Sequence, residues 1–129
     1  MTPDELPPGA LAFMTAPGLA TLTTIRANGT PHVVPVGYTY DEAAKVVRVI
    51  CSDGTQKVMN AQQGGRAVVC QVDGAHWISL EGRVRVVRDP NTIADACDRY
   101  SRRYRPPRDN PGRVAIEITV DRVLGRFPD

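Results

Sequence analysis

Alternating apolar and polar positions dominate this chain. Leu19 to Arg26 is rich in β-branched residues, and Asn28-Gly29 follows as a two-residue hairpin signal. The return run, His32 to Tyr40, puts Val34, Val36, Tyr38 and Tyr40 on one face and Pro31, Pro35 and Gly37 on the other. Pro35 has no N–H for a ladder, so this strand is expected to be irregular or at an edge there. Asp41 to Ala44 reads as a turn, Lys45 to Cys51 as a third strand and Arg66 to Val72 as a fourth. Asp73-Gly74 turns the chain into a long fifth strand, Trp77 to Arg88. Ile78, Leu80, Val84 and Val86 form one of its faces; Trp77, Ser79, Glu81, Arg83 and Arg85 form the other. Gly82 in its middle implies a bulge or a close backbone approach. In a final strand Val114, Ile116, Ile118 and Val120 alternate with Glu117, Thr119 and Asp121.

Helical signals are fewer. Thr2, Pro3 and Glu5 form a capping box that opens a helix, continuous or broken at Pro7-Pro8, and Pro17-Gly18 ends it. Asp89 caps a second helix, in which Ile93, Ala96, Cys97, Tyr100 and Tyr104 recur at helical spacing. Short hairpin-like connections predict antiparallel pairing rather than βαβ units. The expected fold is mainly β, a six- to seven-stranded antiparallel split β-barrel with peripheral helices.

The 129 residues fit one domain. A formal net charge of +2 gives no reason to expect nucleic-acid binding. The N-terminal MTPDELPPGA has neither a basic nor an apolar leader region, and no apolar run is long enough to span a bilayer. A cytoplasmic protein without membrane contact is expected. Cys51, Cys70 and Cys97 are odd in number and widely spaced, so neither a disulfide framework nor a zinc site is expected, and all three read as small buried apolar residues. His32 and His76 are isolated, which leaves no metal site, and Asp73 and Glu81 are single carboxylates. No nucleophile elbow is present. An enzyme built this way would leave the hard step to a cofactor.

One stretch does carry chemistry: CSDGTQKVMNAQQGG, Cys51 to Gly65. Thr55 reads as the cap of a short helix, Gln56 to Gln62, closed by Gly64-Gly65. Ser52 and Thr55 offer hydroxyls, Lys57 a full positive charge, and Gly54 lets a ligand approach the backbone. A phosphate ester needs such a set. The segment SRRYRPPRDNPGR adds Arg102, Arg103, Arg105, Arg108 and Arg113. These guanidiniums are either a solvated helix end or a docking patch for ligand carboxylates.

The hairpin LTTIRANGTPHVVPVGY, the strand ending in SDGTQKVMN and the pair closing on DGAHWISLEGRVRVV together resemble the pyridoxamine-5′-phosphate-oxidase-like split barrels. Within them the chain resembles the actinobacterial flavin/deazaflavin oxidoreductases that use coenzyme F420, and most closely the F420-dependent biliverdin reductase group. The strings GTQKVMN and WISLEG carry most of this likeness, which spans about Leu11 to Gly125. It implies a homodimer with the cofactor in a groove between subunits. Ile50, Ser52, Thr55, Gln56 and Lys57 would hold the phosphate. Pro35, Val36 and Gly37 would lie against the tricyclic ring, and Trp77, Ile78 and Ser79 would come from the partner subunit. Some relatives carry an arginine at the position of Thr55. Arg102, Arg103, Arg105 and Arg108 would meet either the oligoglutamate tail of F420 or the propionates of biliverdin, the implied small-molecule substrate. The implied reaction is hydride transfer from reduced F420 to biliverdin. An FMN-binding oxidase or flavin reductase, and a non-catalytic carrier of F420 or a tetrapyrrole, stand as alternatives.

Overall fold

The computed structural model describes residues 1–128. A 3-10 turn at Pro3–Glu5 leads into α1 (Pro8–Thr15). The strands are β1 (Ala20–Ile25), β2 (Pro31–Val36), β3 (Thr39–Asp41), β4 (Val46–Ser52), β5 (Arg66–Asp73), β6 (His76–Val87) and β7 (Arg113–Arg126). Between them lie α2 (Gln56–Gln62) and α3 (Pro90–Arg103). All strands form one antiparallel sheet in the order β2-β1-β5-β6-β7-β4-β3.

The two end strands, β2 and β3, are consecutive in the chain, joined only through Gly37-Tyr38. One extended run cannot lie beside itself, so the curled sheet ends in a split rather than a closing ladder. The expected single strand from His32 to Tyr40 is thus two, broken two residues after Pro35. Leu22, Tyr38, Val69, Ile78, Leu80, Ile116, Ile118 and Val123 fill the interior.

Several local expectations change in detail. The Pro7-Pro8 pair breaks the N-terminal helix, because neither proline can supply an amide to the preceding turn. Asn28-Gly29 does close a hairpin, but with three loop residues: Arg26 N–H donates to Thr30 C=O at 2.8 Å, and Gly29 takes φ +85°. That is a type I turn with a left-handed residue after it. Cys51, Cys70 and Cys97 are half-buried rather than buried; Cys51 packs against the core at the end of β4, where the groove leaves it partly open. Glu117 falls on the polar face that the alternation of β7 predicts, yet it is 2% exposed. α3 covers that face, and Arg48 Nε and Arg85 Nε each donate to the Glu117 carboxylate at 2.9 Å.

Gly82 shows both features expected of it. The β6–β7 register slips between Glu81 and Gly82, and a Cβ on Gly82 would stand 1.8 Å from the Thr119 carbonyl oxygen. The obstacle is backbone in the longest strand pair, so it cannot turn aside. Gly82→Ala is expected to cost about 1–3 kcal/mol by overpacking, read as a lower denaturant midpoint at unchanged slope.

Asp41, at the end of β3, gives the fold an acid-sensitive clasp. Burial alone would raise its carboxyl. The hydrogen bond from Arg48 (2.9 Å), the Ala44 amide and the Arg99 charge outweigh that and hold it below its ordinary 3.8. A carboxyl depressed in the folded state adds stability above its unfolded value and loses it as pH falls through the folded one. Asp41→Asn is therefore expected to remove part of the stability loss seen below about pH 4, in urea titrations run across that range.

Candidate functional site

The β4–α2 turn, the end of β2 and the loop after α3 enclose a groove of about 690 Å³. That is the usual size of a small-molecule site. Pro35, Val36 and Gly37 line it from one side, Ile50, Ser52, Thr55 and Lys57 from another, and Arg105, Arg108 and Arg113 from the loop. Three stretches far apart in sequence thus meet in one place.

Each has a local cause. β4 ends at Ser52, where Gly54 takes φ +78° and turns the chain into α2. The turn is tied to the loop from outside: Asp53 N–H donates to Gly112 C=O at 2.8 Å, and Asn110 Nδ2 donates to Ser52 Oγ at 2.8 Å. Sequence reasoning missed Asn110; only its place in a proline-rich loop beside the arginines could have hinted at it. Gly37 lets Tyr100 and Tyr104 of the α3 end pack on the backbone, since a Cβ there would lie 3.2 and 3.3 Å from their rings. Tyr104 Oη completes the contact, accepting the Tyr38 amide at 3.2 Å.

The groove is electropositive. Lys57 is half-buried, Arg105 and Arg108 are exposed, and none of the three has an ion-pair partner among the described residues. Arg113 is partly spent: it donates to the Arg108 carbonyl at 2.6 Å and to Cys97 Sγ at 3.8 Å. Asp109 brings one carboxylate to the rim. Cys51 also lines the groove, but burial pushes its thiol up to about 11 despite the Lys57 charge, so it is no nucleophile at neutral pH.

Other expected site residues lie elsewhere or are already engaged. Thr55 Oγ1 donates to Ser52 C=O at 3.1 Å, so its hydroxyl proton serves the turn. Gln56 is outside the groove and gives its amide to Asn60 Oδ1 at 2.7 Å. Arg103 is a correction. It faces inward from α3, 7% exposed, with its donors on Ala16 C=O, Tyr38 C=O and Gln71 Oε1. Arg102 projects to the opposite side of α3, beside Thr15, Thr39 and Tyr40. The helical period separates Arg102 from Arg103, and Arg105 lies past the end of α3 in the loop. Ile78 is a second correction: its side chain is fully buried in the core. Trp77 is exposed on the outer face of β6 and Ser79, on the same side, is 8% exposed; both lie away from the groove of the same chain.

Comparison with known proteins bears on this arrangement. Residues 6–127 match the family model described as pyridoxamine 5'-phosphate oxidase. The chain belongs to the pyridoxamine 5'-phosphate oxidase family. One member, the F420H(2)-dependent biliverdin reductase of Mycobacterium tuberculosis, is 52% identical over 124 residues, which is 96% of this chain and 90% of that protein. Among solved structures of the fold, an F420 reductase has TM-score 0.72 at 25% identity, covering 92% of this chain and 98% of that one. A conserved hypothetical protein from Mycobacterium tuberculosis has TM-score 0.79 at 20% identity, covering 95% and 85%. These solved structures share the fold of this chain, and among the described residues no helix is long and apolar enough to cross a membrane.

Proposed function

We propose that this chain is an F420-dependent reductase whose acceptor is biliverdin, reduced to bilirubin. The carrying observation is the groove itself. The Ser52 hydroxyl and Lys57 stand at one end with Arg105 and Arg108 beside them, all three cations without an ion-pair partner among the described residues, a set suited to a phosphodiester followed by several carboxylates. The name of the 52%-identical relative supports the same cofactor and acceptor.

The residues fit the group. Ser52 and Lys57 hold the phosphate, and Arg105 and Arg108 meet carboxylates of the tail or of the acceptor. Val36 and Ile50 give the ring an apolar wall, and the β2 end at Pro35–Gly37 presents backbone at a sheet edge. When bound, reduced F420 supplies a hydride to the central methine carbon of the tetrapyrrole. A proton must also reach a pyrrole nitrogen. The arginines stay protonated and cannot give it, so it comes from solvent, or from Lys57 through a water.

A homodimer belongs to this proposal. The outer faces of β2, β1, β5, β6 and β7 set Val33, Ile25, Val72, Trp77 and Leu124 along the sheet, between 37% and 63% exposed. An apolar face of this kind calls for a partner. A second copy seated there would also account for Trp77 and Ser79 serving a groove they do not reach within their own chain. Trp77→Glu is expected to convert dimer to monomer in sedimentation velocity; a monomeric wild type overturns the dimer.

The reaction is tested by mixing the protein with reduced F420 and biliverdin and following F420 oxidation and bilirubin formation. Turnover above the enzyme-free rate is expected, with binding of F420 tighter than that of FMN. No turnover, or preference for FMN, sinks the reading.

A further inference from the structure

Ser52 joins the two halves of the groove, and what holds its side chain decides what it can offer. Its Oγ lies 2.8 Å from Asn110 Nδ2. An asparagine can present either end of its amide, and the surroundings settle which. Asn110 Oδ1 already accepts the Gly112 amide at 3.0 Å, so the NH2 end faces Ser52. The loop that carries it is braced, with Arg113 N–H donating to the Asn110 carbonyl at 3.1 Å and Asp53 N–H to the Gly112 carbonyl at 2.8 Å.

A serine hydroxyl has one proton and two lone pairs. Here a lone pair is taken by Asn110, and the proton is given to no atom among the described residues. Thr55, the other hydroxyl of the turn, has spent its proton on the Ser52 carbonyl. Ser52 is thus the one hydroxyl of this turn left to donate into the groove.

We propose that Asn110 is a positioning residue that fixes the Ser52 hydroxyl as a donor. The polar end of the groove then selects a ligand oxygen that only accepts, as in an ionised phosphodiester. This deepens the F420 reading and rests on it. Asn110 acts through Ser52, 58 residues away in sequence, and needs no contact with the ligand.

Asn110→Asp tests the polarity directly. Its carboxylate would still accept from Gly112, but would also accept from Ser52, turning the hydroxyl proton away from the ligand. F420 affinity, read by fluorescence titration at pH 8, is expected to fall tenfold or more, the size of one hydrogen bond to a charged group. The added negative charge would itself weaken binding, so the same change is made in Ser52→Ala. There the loss is expected to be several-fold smaller. The ratio of Asn110→Asp to wild-type dissociation constants is also expected to shrink as pH falls toward 4, where the new carboxyl regains a proton to donate. Equal losses in both serine backgrounds, or a ratio flat with pH, would overturn the proposal. Wild type that fails to bind F420 at all would sink the cofactor reading instead. Should Asn110→Asp lower the melting temperature, the cycle of Asn110→Ala with Ser52→Ala asks the same question without a new charge; additive losses there overturn it.

Discussion

Replacing Arg103 by alanine is expected to destabilise the fold by about 3–5 kcal/mol. The guanidinium is a buried cation with no carboxylate within ion-pair distance among the described residues. Neutral acceptors take its place. Nε donates to the Ala16 carbonyl at 3.0 Å, Nη1 to the Tyr38 carbonyl at 2.8 Å, and Nη2 to Gln71 Oε1 at 2.8 Å. Its carbon lies 4.5 Å from the centre of the Tyr38 ring and 5.1 Å from that of Tyr104, where the ring faces favour positive charge. Those acceptors belong to the approach to β1, the link between β2 and β3, and β5. One side chain from α3 thus fastens the split in the sheet, where no strand ladder can. Alanine would strand the Ala16 carbonyl and leave a cavity between two tyrosines. Arg103→Lys is expected to recover little, since an ammonium on a flexible stem cannot reach three acceptors in one plane. Urea denaturation checks this; a loss under about 1 kcal/mol would show that the bracing is incidental.

Lys57→Ala is expected to raise the F420 dissociation constant about ten- to a hundredfold while leaving stability unchanged or slightly improved. The two halves of this expectation have one cause. A cation in the first turn of a helix opposes the helix dipole, at about 0.3–1 kcal/mol. α2 has no acidic residue in that turn to offset it, and Lys57 makes no ion pair among the described residues. The side chain therefore does little for the folded chain by itself. Its value lies with an anion in the groove. The affinity gap between wild type and variant is expected to narrow at high salt, because a partly exposed charge is screened. Fluorescence titrations at two ionic strengths measure it, alongside thermal melting. An unchanged dissociation constant would remove Lys57 from the binding set.

The place of Lys57 on the groove was legible in the sequence because its charge stands within a few letters of Ser52, Gly54 and Thr55 at the start of a helix. Gly82 was legible as a residue without a side chain in the middle of a well-patterned strand. Asn110 broke no rule. A polar residue in a proline-rich loop is ordinary, and nothing nearby in sequence distinguishes it from Asp109. The arginines show the opposite failure. Arg102, Arg103, Arg105 and Arg108 look alike along the chain, and the structure gives them three different surroundings: the far side of α3, the interior, and the groove.

The sequence by itself determined the antiparallel strands, the Asp89 cap of α3 and the polar character of the Ser52–Lys57 turn. Each depends on the two-residue period of a strand or on hydrogen bonds between residues a few positions apart, which are written in consecutive letters. The tertiary structure decided where the long strand breaks, which arginine is buried, and that Asn110 holds Ser52. Those outcomes depend on groups brought together across 32 to 87 residues, as with Arg103 to Gln71, Asn110 to Ser52 and Arg103 to Ala16. No local pattern encodes such a meeting, because the energy that selects it comes from burying and pairing groups the rest of the fold has placed.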